Sequence, residues 1–282
     1  MMPLADAHLH VFRRGYADRY GKGWARPDEL EAYEALRAVH GIARGLVIGY
    51  EGLPRYRGNN RDLAGWARSR RWMVPLAFVP AERAPTPARL ARLIRDGFAG
   101  IAVYAPGPRE AAAVGRWPPA TLRELAARRL IVSLNATRQS LPALAPLFAA
   151  LAGADVLVSH LGLPGRFSRT PSLREARAAL APLRALAALP HVGVKVSGLY
   201  AIGSPSHAYP HESVAPLLRL TAEWFGPERL YWGSDFSPAL EHVSFAQTIA
   251  AIDIAGWSDR EKRLVLHDNL AALLDRAGRA SG

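Results

Sequence analysis

The chain has 282 residues, half of them hydrophobic, so a sizeable core is available and either one large α/β domain or two small ones would fit. It has no cysteine, which excludes disulfides and thiolate chemistry and agrees with a reducing compartment. The net charge of +12 rests on 36 Lys and Arg, but lysine stands only at 22, 195 and 262, and the 33 arginines are scattered along alanine-rich helices with no basic stripe, so no nucleic-acid partner is expected.

The first strand carries Asp6-Ala7-His8-Leu9-His10. Alternation predicts Asp6, His8 and His10 on one face, with Ala7 and Leu9 on the other. Two imidazoles two residues apart converge on one point, which suits a metal ion or a polarised carbonyl. Taken alone, the pattern is more often that of a solvated strand end. No basic segment followed by an apolar one precedes Asp6, so a secretory signal is not expected and a cytoplasmic location is.

A loop rich in charge and aromatics, 13–26, comes next. A helix opens at Pro27-Asp28, presents Leu30, Tyr33, Leu36 and Val39 on one face and stops at Gly41. The apolar run 45–49 predicts a strand buried on both faces. Residues 59–61 read as a loop, 62–71 as a short helix and 72–79 as a third strand closed by Pro80. The alternation then continues. Helices are predicted over 86–97, 121–129, 142–152, 173–189 and 212–225, each followed by a strand, at 100–104, 130–135, 155–160, 192–197 and 230–236. Ser258 and Glu261 form a capping box for a closing helix to about 277. The most apolar run, 141–158, is broken by Pro142, Pro146 and Asp155 and reads as a buried helix and strand, not a membrane span.

Eight strands alternating with helices predict an α/β chain forming a single (β/α)8 TIM barrel over 1–282. A doubly wound sheet uses the same alternation, but it would normally place a glycine-rich phosphate loop after the first strand, where His-Leu-His stands here. No linker, repeat or low-complexity segment divides the chain. Barrel active sites sit at the C-terminal strand ends, which here hold His8 and His10, Tyr104, Asn135, His160, Lys195 with Ser197, and Asp235. Parallel strands are mostly apolar, so polar residues at these ends need a reason. One buried polar group per strand end can be structural; three histidines and an aspartate from three strands point instead to a site.

Five segments occur in order: Asp6-Ala7-His8-Leu9-His10, Val158-Ser159-His160-Leu161-Gly162, Lys195-Val196-Ser197-Gly198-Leu199-Tyr200, Trp232-Gly233-Ser234-Asp235-Phe236 and His267-Asp268-Asn269-Leu270. Together they resemble the amidohydrolase-related family, in the branch containing pyrone-dicarboxylate lactonases and sugar lactonases. The resemblance spans essentially the whole chain. It implies a (β/α)8 barrel that hydrolyses small cyclic esters, with His8, His10 and His160 lining the site and Asp235 as general base or metal ligand. Two departures stand out. Lactonases of this type carry a Gly-Val-Arg strand whose arginine holds a substrate carboxylate; the matching stretch is Gly100-Ile101-Ala102, so the clamp is missing unless loop arginines such as Arg13, Arg61 or Arg166 replace it. The fourth strand also lacks the lysine or glutamate that bridges two metals in binuclear relatives, and Tyr104 stands nearest.

Lactone hydrolysis needs a positioned water, a base, and positive charge or donors where the carbonyl oxygen becomes an oxyanion. Asp235 suits the base, held ionised by positive charge among the histidines. His8, His10, His160 and Asp235 form a plausible ligand set for one divalent, zinc-like ion, and the same residues would serve a metal-independent route. Lys195 should point into the barrel, where Asp6 or Asp235 would pair with it, as a structural ion pair or as a substrate contact. Tyr104, Asn135 and His207 are further candidate substrate contacts. His207 and His211 lie in a loop, where histidines are more often solvated than functional, while His40, His191 and His242 look incidental and His267 structural. The expected partner is a small-molecule substrate, with a homo-oligomer neither required nor excluded. Three readings follow: a lactone hydrolase, a metal-dependent decarboxylase or amidohydrolase of the same superfamily, and a barrel that binds without catalysis.

Overall fold

The structure is a computed structural model that describes residues 2–16 and 28–280, with side chains described to residue 277. The end of the 13–26 loop and Pro27 therefore lie outside the described residues. Eight strands form one sheet in sequential order: β1 (Leu4–Leu9), β2 (Ile42–Ile48), β3 (Met73–Val79), β4 (Gly100–Ala105), β5 (Ile131–Ala136), β6 (Asp155–Val158), β7 (Val192–Val196) and β8 (Leu230–Trp232). All seven ladders are parallel. The barrel is completed between β8 and β1 by an isolated parallel bridge, Leu9 to Phe236, and by the Asp6 carboxylate, which accepts from the Ser234 amide and hydroxyl. This is the (β/α)8 barrel expected from the alternation.

The helices are α1 (Glu29–His40), α2 (Asn59–Ala67), α3 (Pro87–Arg95), α4 (Pro108–Gly115), α5 (Pro119–Ala127), α6 (Ala145–Ala150), α7 (Leu173–Arg184), α8 (Leu199–Ile202), α9 (Ala215–Phe225), α10 (Phe245–Ala250), α11 (Asp259–Arg263) and α12 (Asn269–Ala280). α1 ends as predicted at Gly41, in the left-handed conformation that glycine adopts freely. The helix expected over 62–71 begins earlier, at Asn59. Its two asparagines read as a loop, but their side chains bond other segments: Asn59 accepts from the Tyr50 amide, and Asn60 binds both the amide and the carbonyl of Phe78. α7 stops at Arg184 instead of running to 189. The closing helix is interrupted by a π turn, Leu264–Asp268, between α11 and α12. α4, α8 and α10 are additional to the helices expected from sequence.

Outside the strands, alternate apolar residues such as Val47, Val103, Leu134 and Val194 pack against the helices. The opposite faces contribute a second cluster that includes Ala5, Leu46, Leu76, Ala102, Ile131 and Leu157, and α12 adds Leu270, Leu273 and Leu274 to it. No helix among the described residues is long and apolar enough to cross a membrane.

Candidate active site

Strict alternation does not hold in β1. Asp6 pairs with Gly45 and Leu9 with Val47, so three steps on β1 oppose two on β2, which is a β-bulge. The extra residue separates Asp6 from His8. Asp6 accepts from the Tyr33 hydroxyl of α1, on the helix side, at 2.9 Å. Ala5 and Ala7 belong to the inner cluster, and the His8 ring turns inward to lie 3.3 Å from Lys195 Nζ. The expectation that Asp6 shares a face with the histidines is thus corrected. Asp6 ties strands together, while His8 and His10 face the interior with ring centroids 5.1 Å apart. Gly233 permits this packing, since a Cβ there would sit 2.6 Å from that of His8.

Asp235 follows β8 with a φ of 54°, and His160 follows β6 with a φ of 53°. Left-handed backbone costs a non-glycine residue roughly 1–2 kcal/mol, so both turns are held by their surroundings. For Asp235 the holding contacts are its amide, which donates to the His8 carbonyl at 2.8 Å, and the Tyr200 hydroxyl, which donates to Oδ2 at 2.7 Å. Oδ1 is left facing His8 Nε2 at 3.5 Å and His10 Nε2 at 4.0 Å. Tyr200 is itself stacked on His242, centroid to centroid 4.8 Å, so His242 is part of the scaffold and not incidental. His160 packs its ring 4.6 Å from that of His8, and its Nδ1 meets Ser197 Oγ at 3.0 Å. Gly198 must be glycine for this, because a Cβ would lie 2.5 Å from His160 Nδ1.

Burial sets the charge of the cluster. It lowers the pKa of His8 well below the ordinary imidazole value, that of His160 below it, and that of His10 to about 4 despite the opposing pull of Asp235. The imidazoles are neutral at neutral pH, so they do not supply the positive charge expected around Asp235. Lys195 is fully buried, and its Nζ contacts Ser133 Oγ at 2.7 Å and His8 Nδ1 at 3.3 Å. No carboxylate among the described residues lies within ion-pairing distance of Lys195, whose Nζ contacts are Ser133 and His8, which corrects the expected pairing with Asp6 or Asp235. Burial brings its pKa down to about 7, against the more distant attraction of those two carboxylates.

The cluster opens into a cavity of about 560 Å³, whose wall includes His10, His160 and Asp235 together with Tyr104, Asn135 and Tyr200. The Tyr104 hydroxyl is buried without a hydrogen-bond partner among the described residues. Of the other predicted contacts, Lys195 lies beneath the histidines, and His207 is exposed and not part of this wall. Arg13 pairs with Asp62 at 2.9 Å, Arg61 reaches the same carboxylate, and Arg166 binds Ser206, so none of the candidate replacement arginines lines the cavity.

Sequence reasoning missed Tyr200 as the partner of Asp235, and it missed Ser133 and Glu29. Glu29 is a buried carboxylate that accepts from the Phe12 and Tyr16 amides and from Ser237, tying the loop after β1 to the loop after β8. A capping-type acidic residue in the first turn of α1 was visible; its reach across the barrel mouth was not.

One acceptor and two imidazole nitrogens meet the requirements of a metal centre. The ligand atoms of His8, His10 and Asp235 lie within 4.8 Å of one another. His8 Nε2 is buried without a hydrogen bond. His10 Nδ1 faces the Ile48 carbonyl at 2.8 Å, which can only accept; the ring proton is therefore on Nδ1 and the Nε2 lone pair is free. These three residues fit one divalent ion. His160 stands beside the group and outside its spacing, with Nδ1 engaged by Ser197.

The sequence profile of the amidohydrolase family matches residues 5–276. The chain is 28% identical over 250 residues to an L-fucono-1,5-lactonase of Burkholderia ambifaria, covering 82% of this chain and 79% of that one. Among solved structures it is similar to a Burkholderia multivorans amidohydrolase with bound zinc, at 19% identity and a TM-score of 0.73, covering 97% and 99% of the two chains. It is also similar to a Pseudomonas putida protein provisionally described as a 2-pyrone-4,6-dicarboxylic acid hydrolase, at 24% identity and a TM-score of 0.68, covering 98% of each. The chain belongs to the amidohydrolase family and is an enzyme, a hydrolase.

Proposed function

We propose that this enzyme opens small lactones, with Asp235 as the base that activates water. The observation that carries the reading is Asp235 itself: Tyr200 fixes one carboxylate oxygen, and the other faces His8 and His10 at the wall of the cavity. The relationship to a fuconolactonase supports the substrate class. Water attacks the lactone carbonyl carbon as Asp235 accepts its proton. The developing oxyanion is met by donors on the cavity wall. The His160 tautomer protonated on Nε2, in which Ser197 Oγ would donate to Nδ1, supplies one donor, and the unpartnered Tyr104 hydroxyl adds a second. When the ring C–O bond breaks, the leaving alkoxide takes the proton from Asp235, giving the open hydroxy acid and restoring the carboxylate. A divalent ion held by His8, His10 and Asp235 would supply Lewis-acid polarisation and lower the pKa of water.

The wall of the cavity has no arginine among the described residues, and β4 offers Ala102 where an arginine would project. Neutral, sugar-type lactone rings should therefore be opened in preference to dicarboxylated pyrones. Purified protein of known metal content, assayed on a lactone panel with and without chelator, tests the reading. Hydrolysis of sugar lactones is expected. Failure on every lactone in metal-replete protein, combined with turnover of aromatic acids, would move the assignment to a decarboxylase of the same superfamily.

A further inference from the structure

We propose that a second pocket, beside the catalytic cavity, binds a multiply charged oxyanion such as a phosphate group. This pocket of about 210 Å³ lies between the loop after β1 and the start of α2, and it shares Phe12 and Tyr56 with the cavity wall. Arg13, Arg14, Arg55, Arg57 and Arg61 are five of its ten described lining residues. With 33 arginines in 282 residues, only about one would be expected in a set of that size, so the arginine-rich habit of the chain does not account for it.

Among the described residues, one carboxylate, Asp62, forms ion pairs with the group, and Glu29 acts on Arg55 at longer range. Asp62 takes Arg13 at 2.9 Å and Arg61 at 3.5 Å. Arg14 and Arg57 have no side-chain partner among the described residues, and Arg13 and Arg55 are held by further contacts. Arg55 donates to the backbone carbonyls of Gly15 and Arg14, and Arg13 lies over the Trp66 ring. Asn59, Arg61 and Asp62 belong to the first turn of α2, where the Asn60 amide already donates to the Glu51 carboxylate at 2.9 Å, so the positive field rests on the guanidiniums. Planar guanidiniums in excess over carboxylate match the geometry of phosphate oxygens, and a dianion gains more from the field than a monoanion does.

Phe12 stacks on Tyr56 at 4.1 Å and on His10 at 5.7 Å, so the two pockets are separated by little more than an aromatic pair. The bound oxyanion is either free in solution or attached to a substrate whose neutral ring occupies the catalytic cavity. Titration calorimetry of the whole chain with inorganic phosphate, against acetate and chloride at matched ionic strength, reads binding without any turnover and so stands apart from the lactonase reading. Phosphate should bind and acetate should not, and R14Q/R57Q should weaken phosphate binding by about tenfold. Neither arginine makes a bond that the fold needs, so the variant should keep the wild-type Tm. Kinetics on glucono-1,5-lactone and its 6-phosphate separate the sources. A lower KM for the phosphate ester, lost in R14Q/R57Q, assigns the oxyanion to the substrate; equal KM values with phosphate binding retained assign it to a free anion. Phosphate binding no stronger than that of acetate, or unchanged in R14Q/R57Q, would overturn the proposal.

Discussion

The inside of this barrel changes character along its strands. Its lower part, from Ala5, Leu46, Leu76, Ala102 and Leu157 to the leucines of α12, is apolar and, apart from a register shift at Leu4/Ala5 in β1, built on regular alternation. The upper part begins at Lys195 and Ser133 and continues through His8, His10 and His160 to Asp235, and there the backbone departs from regularity: a bulge in β1 and left-handed φ at His160 and Asp235. The apolar part requires only that side chains of suitable volume meet. The polar part requires particular atoms at particular distances, and extended strands alone do not bring imidazoles and a carboxylate onto one point. The lower part should therefore govern stability and the upper part chemistry, with little exchange between them.

The largest effect that would test this division is expected at Asp235. Asp235→Asn retains the shape and an acceptor for Tyr200 but removes the base, so kcat should fall by about two to four orders of magnitude. The nearest polar partner of Lys195 is Ser133, not Asp235, so no buried ion pair is broken and Tm should stay within a few degrees of wild type. A large fall in Tm, or near-full activity on the true substrate, would refute the separation from the chemical side.

Leu273→Ala tests it from the other side. Leu273 is 1% exposed in the inner cluster, and truncation there should cost about 2–5 kcal/mol of unfolding free energy. Activity per folded molecule should be nearly unchanged. Urea unfolding beside active-site titration measures both, and a kcat that fell with stability would mean that α12 packing reaches the site.

The same contrast explains what the sequence made legible. All eight strands and the barrel follow from alternation and length, because those depend on periodicity. His8, His10, His160 and Asp235 were recognisable as polar residues at strand ends, and the structure brings them together. The face of Asp6 was misjudged because a bulge is a single extra residue with no local signature in Asp-Ala-His-Leu-His. Lys195 was assigned a carboxylate because a buried charge needs one, but a lysine lowered to about 7 needs only a hydroxyl and an imidazole. Tyr200 stood within a recognised segment, yet its link to Asp235 spans 35 residues and two loops, which no spacing rule reaches.

Acid titration sharpens the contrast with a smaller effect. In chelated protein, burial lowers the pKa of His10 from 6.5 to about 4. Between those values the unfolded chain binds more protons than the folded one, so the His10 contribution rises with pH across the window and is lost on acidification, by about 3 kcal/mol. Burial raises Asp6 to about 6 and also raises Glu29, and raised carboxyls act in the opposite direction over a similar range. The wild-type curve mixes these effects, so the comparison is with His10→Asn, whose amide can still donate to the Ile48 carbonyl. The stability difference between the two proteins should change in favour of wild type from pH 4 to 6.5. A difference independent of pH would mean that His10 is not held neutral by burial.

The smallest effect is expected at Tyr104, where the two parts of the barrel meet. Tyr104 follows Ala102 on the inner face of β4, pairs in register with Asn135 and packs 4.9 Å from the Tyr50 ring. Its hydroxyl is buried with no partner among the described residues, and a donor in that state costs stability unless a ligand accepts from it. Tyr104→Phe removes the hydroxyl and leaves the ring packing intact. The free enzyme should become more stable by up to about 1 kcal/mol, while interactions with the lactone carbonyl weaken. If the hydroxyl meets that oxygen equally in ground and transition states, KM rises several-fold at constant kcat; if it meets mainly the oxyanion, kcat falls instead. Either result, joined to a raised Tm, identifies a donor held ready for substrate at the cost of the empty enzyme. A lowered Tm with unchanged kinetics would make Tyr104 an ordinary packing residue and leave the oxyanion to His160.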